Sequence, residues 1–129
     1  MSERRLFQLA VALGSLIPVI AGAAGVVAGP AMVDAGAVPA AADSHFRYLS
    51  GLLFGIGLGF ASTIPGIERR AARFRLLAAV VVAGGAARCV SLLARGVPDR
   101  PMIAALIMEL AVTPALVLWQ SRIARHCGY

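Results

Sequence analysis

Residues 76–94 read LLAAVVVAGGAARCVSLLA and contain one charged side chain, Arg88. A helix needs roughly 20 mostly apolar residues, each rising about 1.5 Å, to cross the hydrocarbon core of a bilayer. The stretch has that length and that composition. It therefore predicts a membrane-spanning helix, and it raises the question of which group neutralises a permanent cation inside the span.

The rest of the chain follows the same pattern. No charged residue lies between Arg5 and Asp34 or between Arg47 and Glu68, and residues 102–119 contain only Glu109. Of the 129 residues 14% are charged and 60% are hydrophobic, with a mean hydropathy of +0.85. Ordinary soluble domains contain about 25% charged residues. The chain is therefore too apolar to cover itself with a polar surface in water.

These segments predict an all-α fold, since helices satisfy their own backbone hydrogen bonds in lipid. We expect a single membrane domain over residues 1–129, built as a transmembrane four-helix bundle with antiparallel up-and-down topology. The expected helices lie near residues 6–29, 46–66, 74–95 and 101–121, with an outer loop at 30–44 and a cytoplasmic loop at 67–73.

The arginines orient the predicted bundle. All 12 basic residues are arginines, and the net charge is +6 with a pI near 11.0. If the helices alternate in direction, one side of the membrane carries Arg4, Arg5, Arg69, Arg70, Arg73, Arg75, Arg122 and Arg125, and the other carries Arg47, Arg95 and Arg100. The positive-inside rule then places both termini in the cytoplasm. Because the charges follow the membrane in this way, we expect no nucleic-acid partner.

The counter-charge of Arg88 is predicted from the turn GVPDRP at residues 96–101, which is short enough to force the last two helices into a hairpin. Arg88 lies seven residues before Arg95, and Glu109 lies seven residues after Met102. Both therefore lie about 10 Å below the outer edge of the membrane. A lone charge there costs roughly 2.5–3.5 kcal/mol, and two opposite charges at one depth offset much of that cost. We predict an Arg88–Glu109 ion pair.

Three more side chains belong to the candidate site. Ser91 and Thr113 are expected to supply hydrogen bonds to the pair. Arg47, at the outer mouth of helix 2, is either an interfacial anchor or the third member of a basic vestibule for an anionic head group. The pair itself is either a structural clasp that fixes the register of the helices or part of an outward-facing polar pocket.

Small residues predict where the helices pack. Gly51, Gly55 and Gly59 recur every four residues on one helical face, which is the small-xxx-small pattern of close helix approach. We expect these glycines, together with Gly84 on the third helix, to form packing contacts or a homodimer face. Gly96 is expected to end helix 3, Asp99 to cap helix 4, and Asp43 or Ser44 to cap helix 2.

No cofactor is expected. Two histidines, His45 and His126, lie far apart in the sequence, and two cysteines, Cys89 and Cys127, are predicted at different depths. This arrangement favours neither a haem nor a zinc site nor a disulfide.

The order and spacing of these residues resemble a known family. Arg47 with Gly51, Arg88 with Ser91, Gly96 with Pro98, and then Glu109 are similar to the bacterial four-helix membrane family called domain of unknown function 4345. The resemblance implies a small multi-pass protein of the bacterial inner membrane with these polar residues inside its bundle. It implies no particular activity. A fainter similarity to DoxX-like membrane proteins concerns architecture alone.

Three functions remain open from the sequence. The favoured one is a non-enzymatic integral membrane protein, either an accessory or scaffold subunit or a binder of a lipid-like molecule. The alternatives are a small proton-coupled transporter that works as an oligomer and a membrane enzyme that uses Glu109 as acid or base on a lipid or isoprenoid. The expected partners are membrane lipids, a lipid-like ligand, and a second copy or another membrane protein.

Overall fold

The computed structural model describes residues 1–33 and 36–129, so part of the predicted outer loop, residues 34 and 35, lies outside the described residues. Within the described ranges the chain forms four helices and no strand, as the all-α prediction requires. We label them α1 (Glu3–Ala28), α2 (Ala40–Ala61), α3 (Ala71–Arg95) and α4 (Arg100–His126). A 3-10 helix, Gly29–Val33, continues α1.

The helices form two compact units. The first, Met1–Pro65, contains α1 and α2, and the second, Gly66–Tyr129, contains α3 and α4. In each unit a glutamine binds the main chain between α2 and α3: Gln8 Nε2 donates to the Ile64 carbonyl at 2.7 Å, and Gln120 Nε2 donates to the Ile67 carbonyl at 3.0 Å. These bonds fix each end of the connection to its own unit. The single domain expected from the sequence stays a prediction.

Three helical segments in the described residues are long and apolar enough to cross a membrane. They are Glu3–Val33, Ala71–Arg95 and Arg100–His126, whose mean hydropathies reach 2.2, 2.1 and 2.0. The predicted span at 46–66 is not among them. Its helix, α2, ends earlier, at Ala61, and begins with a polar half that contains Asp43, His45 and Arg47. A fourth span therefore stays a prediction.

The three apolar segments expose large hydrophobic side chains. Leu76 is 66% exposed, Leu93 88% and Leu118 72%. Burying one such side chain is worth about 1.5–3 kcal/mol, so a row of them facing water is unfavourable. A surface of this kind is typical of helices that face lipid or a partner.

The helix ends agree only in part with those predicted from the sequence. Gly96, with φ of 91°, terminates α3, and Asp99 is the N-cap of α4, although its side chain makes no capping bond. The predicted cap of α2 is wrong, because the helix begins four residues before Ser44, with Pro39 at the N-cap. The run of alanines at residues 40–42 extends the helix backwards, since alanine is the best helix former.

A π-turn, Met108–Val112, interrupts α4. The Thr113 N–H bonds to the Met108 carbonyl, five residues back instead of four. Pro114 explains the widened turn: its ring has no N–H and would clash with the carbonyl four residues before it in a regular α-helix. The sequence analysis expects an uninterrupted helix here. Pro114 is the residue that indicates the interruption.

Glycines bring α1 and α2 together, but Gly51 and Gly55 of the predicted stripe are not among them. A Cβ at Gly22 would lie 2.5 Å from the Phe54 nitrogen, and one at Gly57 would lie 2.9 Å from the Val19 nitrogen. A Cβ at Gly55 would meet no described atom within 4 Å, and one at Gly51 would meet only Val26, at 3.9 Å. The contact face of α2 follows Ser50, Phe54 and Gly57, so Gly51 and Gly55 are one residue out of phase with it. The packing role of Gly59 stays a prediction.

Candidate functional site

Arg88 and Glu109 meet within the second unit. Nε of Arg88 donates a hydrogen bond to Glu109 Oε1 at 3.0 Å and lies 3.0 Å from Oε2 as well. The Glu109 side chain is 17% exposed and that of Arg88 is 41% exposed. The predicted pairing is thus confirmed, and it answers the question posed by the apolar stretch: the cation in α3 is neutralised from α4. The role of the pair in binding stays a prediction.

The pair leaves hydrogen-bonding capacity unused. A bidentate arginine–carboxylate contact would place two N–H groups on two oxygens. Here Arg88 Nε lies 3.0 Å from both oxygens but donates only to Oε1, and Glu109 Oε2 is buried without a hydrogen-bond partner among the described residues. Nη1 of Arg88 donates instead to Met102 Sδ at 3.1 Å, a weak acceptor. Nη2 bonds to no described residue. The pair thus retains an unused donor, Arg88 Nη2, and an unused acceptor, Glu109 Oε2.

Gly85 permits this approach of α4 to α3. A Cβ at Gly85 would lie 2.9 Å from the Glu109 Cβ and 2.8 Å from Leu110 Cδ2. Gly84, the residue predicted to pack, is exposed, and a Cβ there would meet no described atom within 4 Å. Both glycines lie within about one turn of Arg88, so their spacing from it does not distinguish them. They differ because neighbouring residues are about 100° apart around a helix, and α4 packs on the side of Gly85.

The π-turn changes the main chain at Glu109. In a regular helix the Glu109 carbonyl would accept from the Thr113 N–H, but that group bonds to the Met108 carbonyl. The donor one residue further on is absent because residue 114 is proline. Glu109 therefore presents a main-chain oxygen without a helical partner in addition to its carboxylate. Single π-turns inside α-helices occur frequently at functional sites.

Two predicted members of the site do not bind the pair. Thr113 Oγ1 donates to the Met108 carbonyl at 2.8 Å, across the π-turn. Ser91 is exposed and makes no hydrogen bond to Arg88 or Glu109. Their expected role as hydrogen-bond donors to the ion pair is wrong, because the threonine hydroxyl bonds across the π-turn and the exposed Ser91 hydroxyl bonds to neither member of the pair.

Arg47 lies in the first unit, where it ties the start of α2 to the end of α1. Its Nε lies 2.9 Å from Asp43 Oδ2, and its Nη1 donates to the carbonyls of Val26 and, at 3.0 Å, Val27. Gly29 leaves room for the guanidinium and has a φ of 63°. A cation that bonds the last carbonyls of a helix also complements its dipole. The vestibule that would join Arg47 to the Arg88–Glu109 pair stays a prediction.

Metal-ligating residues do not cluster in the described part of the chain. There, no group of three or more His, Cys, Asp or Glu side chains could hold a metal ion. Cys89 and Cys127 are both free thiols.

Fold and site together define the class: a small all-α protein with three helices apolar enough to cross a membrane and an arginine–glutamate pair between two of them. The chain belongs to the family described as domain of unknown function (DUF4345), which it matches over residues 6–120. Neither the curated proteins nor the solved structures compared with the chain include a match. The family assignment confirms the resemblance given by Arg47, Arg88 and Glu109.

Proposed function

We propose that this chain is an integral membrane protein that binds the polar head of a lipid-like molecule at the Arg88–Glu109 pair. In this proposal the pair opens toward the outer face of the membrane, and the apolar part of the ligand lies along the exposed aliphatic surface of α3 and α4. The head group would accept from the free N–H groups of Arg88 and donate to Glu109 Oε2.

One observation carries this proposal: the pair is only half satisfied. A clasp that served register alone would be most favourable if every buried polar atom were bonded, because an unpaired buried acceptor costs about 1–3 kcal/mol. Glu109 Oε2 is buried without a partner, and the Arg88 side chain is 41% exposed. A ligand with a hydroxyl or amide donor and an acceptor oxygen would satisfy both groups at once.

We further propose the membrane topology predicted from the sequence, with four antiparallel spans and both termini in the bacterial cytoplasm. With α2 as the fourth crossing, eight arginines lie on one side and three on the other, which agrees with the positive-inside rule. The polar half of α2 does not oppose this arrangement, because Asp43 and Arg47 neutralise each other and Arg47 satisfies main-chain carbonyls of α1.

The test separates binding from folding. Arg88→Met with Glu109→Leu replaces the pair by apolar side chains of similar size, a change that is often neutral or stabilising for a buried pair. The double variant and the wild type are purified in detergent, and retained small molecules are measured by native mass spectrometry and lipid extraction. We expect the double variant to remain folded and to lose the retained molecule by at least about tenfold, which corresponds to about 1.4 kcal/mol.

A second double variant serves as the control, and two results would contradict lipid binding at the pair. Arg100→Gln with Asp99→Asn removes one charge of each sign from exposed positions at the start of α4 and should leave retention unchanged. If the wild type retains nothing and the charge swap Arg88→Glu with Glu109→Arg restores the expression lost in the single variants, the pair is a structural clasp. Proton-coupled flux in vesicles that Glu109→Gln abolishes would instead favour the transporter.

A further inference from the structure

A polar cavity lies within the second unit, at the end of α3 and α4 away from the Arg88–Glu109 pair. It is lined by residues before α3, in the first turns of α3 and in the last turns of α4, with side chains that include Glu68, Arg69, Arg75, Ser121, Arg125 and Tyr129. Arg75 precedes Arg88 by 13 residues, which is about 20 Å along the helix. The cavity and the pair are therefore separate places.

The cavity has a positive lining. Three arginines, Arg69, Arg75 and Arg125, border it, and one side-chain carboxylate, that of Glu68, opposes them. Glu68 is 7% exposed, so most of its surface is withdrawn from solvent. None of the three arginines forms a salt bridge with any described residue. The first turn of α3 reaches the cavity through Ala71, and the positive end of its dipole adds charge of the same sign.

Two of the arginines are held in position by uncharged partners. Arg75 Nη2 donates to Ser121 Oγ at 3.2 Å, and Ser121 in turn donates to the Val117 carbonyl at 2.9 Å. The guanidinium of Arg69 lies over the ring of Tyr129, 5.2 Å from its centroid. A hydroxyl and an aromatic ring orient a guanidinium without neutralising its charge. The charge thus remains available to an anion.

The geometry fits a phosphate group in particular. A guanidinium presents N–H donors in a planar fork that matches the oxygens of a phosphate, and several arginines around one concavity can bond it from different sides. Arginines that flank apolar segments, as Arg75 flanks residues 76–94, are also well placed to reach lipid head groups. A carboxylate ligand would offer fewer oxygens to the three arginines that line the cavity.

We infer that this cavity binds a phosphate group through Arg69, Arg75 and Arg125, independently of the Arg88–Glu109 pair. The phosphate can belong to an anionic phospholipid or to a free phosphate ion, and the two sources are distinguished by experiment. The full chain is purified in detergent and titrated in one arm with phosphatidylglycerol, against phosphatidylcholine, and in the other with inorganic phosphate. Native mass spectrometry follows lipid binding and calorimetry follows phosphate binding.

Arg125→Gln is the main variant, because the Arg125 side chain is exposed and forms no salt bridge with a described residue, so its loss should leave the fold intact. We expect it to weaken binding about tenfold, the effect of one charge-assisted hydrogen bond. Arg75→Lys keeps the charge but not the fork and should weaken binding too. Arg95→Gln, at the other end of α3, removes the same charge and should change binding less than about twofold, as expected for a screened distant charge.

Each outcome either identifies the source of the phosphate or overturns the inference. Preference for phosphatidylglycerol that depends on Arg125, with no competition from inorganic phosphate, identifies a lipid head group. Arg125-dependent heat with inorganic phosphate, without lipid preference, identifies the free ion. Equal weakening by Arg125→Gln and Arg95→Gln would show diffuse attraction and no site, and the absence of binding in both arms would overturn the inference. None of these results depends on Glu109, so the failure of one proposal leaves the other standing.

Discussion

Two neighbouring glycines on α3 differ completely in what surrounds them. Gly85 lies under Glu109, and an added Cβ would come within 2.9 Å of the Glu109 Cβ. Gly84 faces away from α4, and an added Cβ would meet no described atom within 4 Å. At Gly85 the absence of a side chain is what allows the carboxylate to reach Arg88. At Gly84 it serves no contact within the second unit.

We therefore expect Gly85→Ala to destabilise the second unit by about 1–3 kcal/mol, because the added methyl group overpacks the contact between α3 and α4. Gly84→Ala is the matched control. It should be neutral or stabilising by up to about 1 kcal/mol, since alanine forms helices better than glycine. Unfolding midpoints in the same detergent measure both. Equal effects of the two substitutions would mean that α4 does not approach α3 at Gly85.

At the scale of single residues, the sequence predicts the pairing of charges better than the packing of helices. The Arg88–Glu109 contact followed from depth and a short turn alone, because few arrangements can offset the cost of a buried charge. Packing depends on the phase of one helix against another, which spacing along one helix does not define. Gly51, Gly55 and Gly59 formed a regular pattern, yet Gly57 makes the close contact on α2.

At the scale of the element, Pro114 determines where Glu109 points. A π-turn contains one residue more per turn than an α-helix permits, so removing it rotates the preceding half of α4 by about 100° relative to the following half. Met108–Val112 forms this turn directly around Glu109. The carboxylate and its partner in α3 are therefore aligned by a feature of the main chain.

Pro114→Ala should restore a regular helix and uncouple the ion pair. We expect a double-mutant cycle between Arg88→Met and Glu109→Leu to give a coupling of about 1 kcal/mol in the parent chain, a modest value because Arg88 is 41% exposed. In the Pro114→Ala background the coupling should fall below about 0.5 kcal/mol.

Pro101→Ala is the control for this cycle. Pro101 lies in the first turn of α4, where proline replaces no helical hydrogen bond, so its removal should leave the coupling intact. A full coupling in the Pro114→Ala background would show that the π-turn does not align Glu109 with Arg88.

Helix boundaries show how far local sequence reasoning extends. Three of the four expected helices coincide closely with α1, α3 and α4, because long uncharged runs bounded by arginines or Gly and Pro leave little choice. The fourth, at 46–66, begins six residues later than α2 and continues five residues beyond it. Apolar length does not predict the bounds of α2, because polar contacts of Asp43 and Arg47 stabilise its first half.

At the scale of the whole molecule, the arginines alone do not decide how many times the chain crosses the membrane. Four crossings place eight arginines on one side and three on the other, with Arg88 between them. If α2 does not cross, one side carries Arg4, Arg5, Arg95 and Arg100, and the other carries Arg47, Arg69, Arg70, Arg73, Arg75, Arg122 and Arg125. Both arrangements are asymmetric, so both obey the positive-inside rule in one orientation.

The termini distinguish the two arrangements, because an even number of crossings puts them on the same side and an odd number on opposite sides. Cys127 is exposed and serves as a native probe once Cys89 is replaced by alanine. Ser2→Cys and His45→Cys, each in a chain without Cys89 and Cys127, report the N-terminus and the start of α2. With four crossings, a membrane-impermeant maleimide should label position 45 in intact bacterial cells and positions 2 and 127 only after permeabilisation. Labelling of 2 and 127 from opposite sides would show that α2 remains at the surface, and the proposed four-helix topology would be wrong.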